Sequence, residues 1–205
     1  MVSNYKIPCS KPEFFIIFKF MKIYTGKGDL GQTSDLNGKS FFKDSPAIHF
    51  MGTLDELNSY LGLIKSMLSN EDAWQFAWKS ACNFIEKTQK NLMKLMAHVS
   101  DNNNEKYFFA DADIVIMEKE IDRLTENIPR KYELVIPGEN IIEAQIQIAR
   151  TVARRAERLF FAVNREHLLS PKAGAYLNRL SDYLFVLSRQ ESLINVNFIN
   201  QITGI

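Results

Sequence analysis

Apolar residues recur at intervals of three and four along most of the chain, which is the spacing of amphipathic helices. A first helix is predicted to begin at Asp44-Ser45-Pro46, because proline suits a first turn, and to end near Leu68. Further helices are predicted at about Asp72 to Val99, Asp113 to Asn127, Asn140 to His167, and Ser170-Pro171 to Leu193. Five long helices with short connections predict an all-α fold, a five-helix bundle of the left-handed, ferritin-like kind.

Each predicted helix carries one apolar stripe that should face a shared core. In the first helix the stripe is expected to contain Ile48, Met51, Leu54, Leu57, Leu61, Ile64 and Leu68. In the fourth it contains Ile142, Ala149, Val152, Ala153, Ala156, Leu159, Phe160 and Val163, and in the fifth Tyr176, Leu177, Leu180, Leu184 and Leu187.

The segment before the first helix has two parts. Residues 1–21 are predicted to be an N-terminal arm, or an extension upstream of a natural start at Met21, and residues 22–205 a single helical domain. The apolar run from Phe14 to Phe20 is much shorter than the roughly 20 residues that span a bilayer. From Tyr24 to Asn37 the chain is rich in glycine and short polar residues, which predicts an N-terminal Gly-rich loop.

Composition excludes several kinds of protein. Lys and Arg total 25 against 24 for Asp and Glu, a net charge of +1, so no overall basic field favours nucleic acid or an anionic membrane. Cys9 and Cys82 have neither metal-ligand spacing nor the density of a disulfide framework, which favours a reducing, cytoplasmic compartment. Because the net charge is close to zero, any anion site must be local.

The fourth predicted helix carries a file of arginines. Arg150, Arg154 and Arg158 fall with Glu157 in one quadrant, nearly opposite the apolar stripe. Planar guanidinium groups suit phosphate oxygens, and positions i, i+4 and i+8 span about 12 Å, the reach of a nucleoside triphosphate. The alternative is a solvated face on which Glu157 pairs with the arginines.

The Gly-rich loop, residues 25–33, is a second candidate for anion binding. Its glycines let backbone N–H groups converge, Lys27 adds charge, and Thr25, Thr33 and Ser34 add hydroxyl groups. The loop has neither a Walker A sequence nor a helix directly after it, so taken alone it is equally well explained as turn chemistry.

Polar residues also interrupt the first and fifth helices. Asp55 and Glu56 lie in the first helix, and Asn178, Arg179 and Asp182 in the fifth. Embedded polar groups need partners, and the arginines of the fourth helix are the expected ones. Purely structural interhelical pairs are the alternative for Asp55 and Asp182. The three histidines are expected at the surface or at helix caps, and no arrangement of Ser, Cys and His predicts a protein nucleophile.

Four motifs together resemble a known family. They are Thr-Gly-Lys-Gly-Asp-Leu-Gly-Gln-Thr at 25–33, Gly-Thr-Leu-Asp-Glu-Leu-Asn at 52–58, Ala-Arg-Thr-Val-Ala-Arg-Arg-Ala-Glu-Arg at 149–158, and Tyr-Leu-Asn-Arg-Leu-Ser-Asp-Tyr-Leu-Phe at 176–185. The chain is similar in these motifs, and in their order from about Lys22 to Arg189, to the PduO-type ATP:cob(I)alamin adenosyltransferases.

The resemblance implies a homotrimer that binds ATP between subunits, with Mg²⁺ on the phosphates, while the cobalt of a reduced corrinoid attacks C5′ and releases triphosphate. Catalytic roles are implied for Asp55, Arg150, Arg154 and Asp182, with Arg150 and Asp55 forming an ion pair. Binding roles are implied for Thr25, Gly26, Lys27, Gly28, Thr33, Ser34 and Lys43 on the loop, and for Arg154, Arg155, Glu157, Arg158 and Asn178 on the facing wall. A corrinoid reductase and an adenosylcobalamin-dependent mutase are the implied partners.

The chain departs from the family pattern near the Pro137-Gly138 pair. Leu134 stands where many members have the aromatic residue that crowds the lower cobalt face, Glu139 replaces a second glycine, and Gln147 replaces a histidine. Two alternatives to the enzyme therefore stay open: a corrinoid- or nucleotide-binding chaperone or sensor, and a helical interaction module with an ion-paired surface.

Overall fold

The structure is a computed structural model, and it describes residues 24, 26–35, 37–70, 75–126, 128, 135–167 and 169–203. Within these ranges, side chains are described except at residues 70, 75–77 and 193–203. The predicted arm at residues 1–21, Thr25 and Leu134 lie outside the described residues.

In the part of the chain that the structure describes, five α-helices follow one another in the predicted order. They are α1 (Pro46–Asn70), α2 (Gln75–Ser100), α3 (Asp111–Thr125), α4 (Ile141–His167) and α5 (Pro171–Thr203). The predicted all-helical bundle is confirmed. Only α5 differs clearly, since it continues past the predicted end near Leu193; no glycine or proline stands between Gly174 and Gly204 to stop it.

A short β-hairpin lies where the sequence predicts only loop. Strands β1 (Gln32–Ser34) and β2 (Ser40–Phe42) pair antiparallel, with Thr33 opposite Phe41. Asp35 Oδ1 accepts from the backbone N–H groups of Asn37 (2.9 Å) and Lys39 (2.8 Å), and Gly38 takes φ +80°. The Asn37-Gly38 dipeptide is a strong hairpin signal and could have predicted this turn.

The core is centred on α4, which packs against both α1 and α5, and α2 and α3 also contribute buried side chains to it. α2 covers the other side of α1, and α3 covers α5. The predicted α5 stripe is fully buried, as are Ala149, Ala153 and Phe160 of α4. In α1, Phe50 is buried while the predicted Met51 is only partly so; the Phe50 ring packs edge-on against Phe160, with centroids 6.0 Å apart.

The hairpin packs at the end of the bundle where α2 and α4 finish. Asn37 Nδ2 donates to the carbonyl of Ser100 at 3.4 Å, and the Phe41 ring lies 6.4 Å from that of His167. The same end holds His98, for which a surface or a helix-cap position was predicted. His98 is buried, and its Nε2 accepts from the N–H of Ser170, the residue directly before α5. No helix in the described ranges is long and apolar enough to cross a membrane.

Candidate functional site

The three arginines of the predicted file on α4 fall into two groups. Arg154 and Arg158 are exposed, and neither has an ion pair or a side-chain hydrogen bond to any described residue. Arg150 is half-buried, and its Nε donates to Gln147 Oε1 at 2.7 Å. Since Val152, Ala156 and Phe160 are buried on the opposite side, the predicted division of α4 into an apolar and a cationic face is confirmed.

Arg155 joins α4 to α1 through an ion pair with Glu56. The prediction that acids of the first helix meet arginines of the fourth is therefore right for Glu56. Asp55 is exposed instead of embedded, because Leu54 and Leu57 occupy the inward side of that turn. Among the described residues no ion pair joins Asp55 to Arg150, so that pair stays a prediction.

A chain of polar side chains joins α3, α5 and α4. Asn178 Nδ2 donates to Glu157 Oε1 at 2.9 Å, and Asn178 Oδ1 accepts from Arg179 at 2.8 Å. Arg179 Nε in turn donates to Glu118 Oε1 at 2.9 Å. The Asn178 amide is thus held from both sides in one orientation. Glu118 was not predicted, and no spacing rule links it to Arg179, 61 residues away.

Asp182 was predicted to be embedded, and it is exposed. Its carboxylate lies 3.7 Å from the guanidinium of Arg179, one turn earlier on the same helix. Leu180, Ser181, Tyr183 and Leu184 fill the buried side of this turn, which leaves Asp182 on the outside.

The Gly-rich loop is built of tight turns. Gly26 takes φ +69°, and its carbonyl accepts from the N–H of Asp29 at 3.2 Å. A Cβ placed on Gly28 would lie 3.0 Å from Lys43 Nζ, so the lysine side chain crosses directly over this glycine. Gly26, Lys27 and Ser34 are exposed, and Thr33 is half-buried in β1.

A surface pocket of about 490 Å³ lies beside Lys43. Its lining residues are Lys43, Ile48, His49, Gly52, Thr53, Glu56, Arg155 and Leu159. Within one chain, the loop region therefore meets the Arg155 side of α4, whereas Arg154 and Arg158 lie outside this pocket. We call Arg150, Arg154, Arg155, Glu157, Arg158 and Asn178 the arginine wall, and residues 26–45 the loop segment.

The turn before α4 is tied to α5. Arg189 donates to Glu139 Oε1 at 2.9 Å. A hydrogen bond from Ser192 and, after it, this bond from Arg189 hold the pKa of the Glu139 carboxyl below its usual value. Nowhere in the described residues do three or more His, Cys, Asp or Glu side chains form a group that could hold a metal ion.

The fold and this surface define an all-helical bundle whose central helix presents arginines to solvent. A sequence profile of the family described as cobalamin adenosyltransferase matches residues 23–191. The chain therefore belongs to the cobalamin adenosyltransferase family, and within it to the PduO type.

Individual relatives agree with the profile. A corrinoid adenosyltransferase of Citrobacter freundii is 35% identical over 175 residues, covering 83% of this chain and 94% of the relative. The corrinoid adenosyltransferase of Bacillus subtilis is 32% identical over 169 residues, covering 82% and 86%. A variant of the PduO-type ATP:corrinoid adenosyltransferase from Lactobacillus reuteri, complexed with cobalamin and ATP, matches with a TM-score of 0.75 and 29% identity, covering 85% of this chain and 95% of that one.

Proposed function

We propose that this protein is an ATP:corrinoid adenosyltransferase. It transfers the 5′-deoxyadenosyl group of ATP to the cobalt of cob(I)alamin or another reduced corrinoid, which forms adenosylcobalamin and releases triphosphate. The observation that carries this proposal is the family match over residues 23–191, together with a structural relative that is complexed with both cobalamin and ATP.

The reaction asks little covalent chemistry of the protein, because the reduced cobalt of the substrate is the nucleophile. The protein must place C5′ of ATP near the corrinoid and stabilise the negative charge that grows on the leaving triphosphate. Arg154 and Arg158 suit the second task, since their guanidinium groups are exposed and no described residue uses their donors. Glu157 and Asn178, fixed to each other, suit the binding of the nucleoside.

The loop segment supplies the remaining phosphate contacts in this proposal. Lys43 lies over Gly28, so its ammonium group and the loop's backbone N–H groups are close together. We assign phosphate and nucleoside contacts to Thr25, Gly26, Lys27, Gly28, Thr33, Ser34 and Lys43, and a place below the cobalt to Leu134. Mg²⁺ would arrive with ATP and would help to neutralise the charge of the triphosphate.

The site is proposed to lie between subunits of a homotrimer. Within one chain the pocket beside Lys43 contains Arg155 but neither Arg154 nor Arg158, which supports the proposal that a loop segment from a second copy lies opposite those two arginines. Asp55 is exposed and unpaired with Arg150 inside the chain, and we place their ion pair at the same interface. Sedimentation that gave a monomer in the presence of ATP would contradict the interfacial site.

The cellular setting follows from the chemistry. Cob(I)alamin needs a corrinoid reductase to supply it, and adenosylcobalamin needs a mutase to receive it. Both partners are proposed to be in the cytoplasm, which agrees with the free thiol of Cys82.

An anaerobic spectral assay tests the function. The protein is mixed with ATP and cob(I)alamin, and the conversion to adenosylcobalamin is followed by absorbance. We expect turnover that requires both substrates. Tight ATP binding without adenosylcobalamin would favour a chaperone or sensor. No rise in melting temperature on addition of ATP would favour an interaction module.

A further inference from the structure

Behind Arg150 lies a buried run of polar side chains to which none of the roles above is assigned. We propose that Glu143 and Gln147 are positioning residues, which together fix the Arg150 guanidinium and the Pro137-Gly138 turn. The inference rests on the proposed function, since it concerns how the arginine wall is held ready for substrate. Neither residue needs to touch substrate for this role.

Glu143 is a carboxylate in the interior. It is 0% exposed, and no described cation forms an ion pair with it. Instead Oε2 accepts from the N–H of Gly138 at 2.7 Å, and Oε1 accepts from Gln147 Nε2 at 2.9 Å. Glu143 also lies in the first turn of α4, where the helix dipole favours negative charge. Among the described residues only neutral donors hold this buried carboxylate, which is a costly arrangement and points to a specific use.

Gln147 lies between Glu143 and Arg150 and bonds to both. Its Nε2 donates to Glu143 and also to Ser188 Oγ at 3.0 Å, which leaves Oε1 to accept from Arg150 Nε at 2.7 Å. A reversed amide would set its oxygen against the carboxylate and its NH₂ group against the guanidinium. Glu143 therefore dictates which end of the Gln147 amide faces Arg150.

This arrangement selects one pose for Arg150. Because Nε is used inside the protein, the two terminal nitrogens of the guanidinium are left without a described partner. They are therefore presented together, as a fork, to a carboxylate or a phosphate. An arginine that is already held in this pose loses less side-chain entropy when it binds.

The same carboxylate also holds the turn that precedes α4. Gly138 takes φ +111°, and its N–H is the group that Glu143 accepts from. The Asn140 side chain caps the helix by accepting from the Glu143 N–H at 2.9 Å. Glu143 thus links the turn, which the family resemblance places near the corrinoid, to Arg150 of the arginine wall.

The substitution Glu143→Gln tests whether the Glu143 carboxylate sets the orientation of the Gln147 amide, because it keeps the shape of the side chain and removes its charge. The new amide can donate to Gln147 Oε1, which reverses the Gln147 amide and detaches Arg150. We expect kcat/KM for ATP to fall by about tenfold or more in a folded protein. The matched control is Ser188→Ala, which removes a neutral partner of the same amide and should leave kcat/KM within about twofold.

The double substitution Glu143→Gln with Gln147→Glu exchanges the two side chains and provides the rescue. The amide now at position 143 would accept from Gly138 and donate to the carboxylate now at position 147. That carboxylate would accept from Arg150, so the original polarity is restored. We expect kcat/KM to recover. Retained kcat/KM in the single variant, or a folded exchange variant that stays as impaired as the single one, overturns the inference.

A spectroscopic readout separates this inference from the function. In ¹⁵N-arginine-labelled protein, the Arg150 Nε–Hε resonance should be protected from exchange, remain so in Ser188→Ala, and lose protection in Glu143→Gln. If the wild type makes no adenosylcobalamin, the proposed function fails, and this resonance still decides the role of Glu143. An unprotected Arg150 Nε–Hε in the wild type overturns it.

Discussion

The arginine wall and the loop segment serve one proposed site, but they are held in very different ways. In the wall, Arg150, Arg155 and Glu157 each bond to another side chain on α4, α1 or α5, so rigid helices fix their positions. The loop segment is mostly exposed and bonds mainly to itself through tight turns. We infer a division of labour in the proposed site: the wall sets the geometry of the transition state, and the loop adapts to bound phosphates.

The largest effect is expected at the wall. Arg154→Ala should lower kcat for adenosylation by about a hundredfold or more, because it removes a positive charge that stabilises the leaving triphosphate. Its melting temperature and helical circular dichroism should match the wild type, since Arg154 bonds to no described residue. Arg165→Ala, also exposed on α4, is the control and should retain activity. Full turnover in Arg154→Ala would remove the wall from the chemistry.

A smaller effect, on binding, is expected in the loop segment. Gly28→Ala places a methyl group 3.0 Å from Lys43 Nζ and should displace that side chain. We expect KM for ATP to rise about tenfold with kcat little changed. The control is a double-mutant cycle with Lys43→Ala: once Lys43 is absent, Gly28→Ala should add little, because only the Gln32 carbonyl oxygen, at 3.3 Å, is still close to the new methyl group. Additive losses would show that Gly28 acts independently of Lys43.

A test of the support behind the wall should give a still smaller effect. Glu118→Gln weakens the bond that orients Arg179 and, through it, Asn178, so KM for ATP should rise about threefold. Glu120→Gln, on the same helix, weakens only the two hydrogen bonds to Arg123 and serves as the control. Equal KM values in the two variants would mean that the Asn178 amide needs no support from α3.

The smallest effect is expected on stability at the end of the bundle where the hairpin packs. Burial, and after it Lys94, lowers the pKa of His98 below its usual 6.5. The unfolded chain therefore binds the proton more readily, so stability is retained above about pH 6.5 and lost as pH falls further, by at most about 1.4 kcal/mol per pH unit. Melting temperatures across this range should show a weaker acid dependence in His98→Gln. An unchanged dependence would exclude His98 as its source.

The helices were predictable because each has a continuous apolar stripe, and the cationic face of α4 followed from the same periodicity. The hairpin was not predicted, although the dipeptide Asn37-Gly38 is typical of a hairpin turn. Asp55 and Asp182 were misplaced because they were judged by their apolar neighbours in sequence, when the angle around the helix is what decides exposure.

The contacts behind the wall could not have been predicted. Glu118 bonds to Arg179, and Asn178 to Glu157, only because α3 and α4 both pack on α5. Glu143 meets Gly138 only through the turn before α4. Periodicity predicts which face of a helix is buried. It does not predict which polar groups meet where three elements cross.

Gly174 lies outside the arginine wall, but it sets the distance between α4 and α5, which both contribute residues to that wall. A Cβ at this position would lie 2.6 Å from Phe160 Cε1, so the first turns of α5 can lie this close to α4 only while that methyl group is missing. Asn178 stands one helical turn further on and bonds to Glu157 across the same gap. The width of the arginine wall is therefore set by the absence of a Cβ atom at position 174, and a larger residue there would push α5 away from α4 and widen the wall.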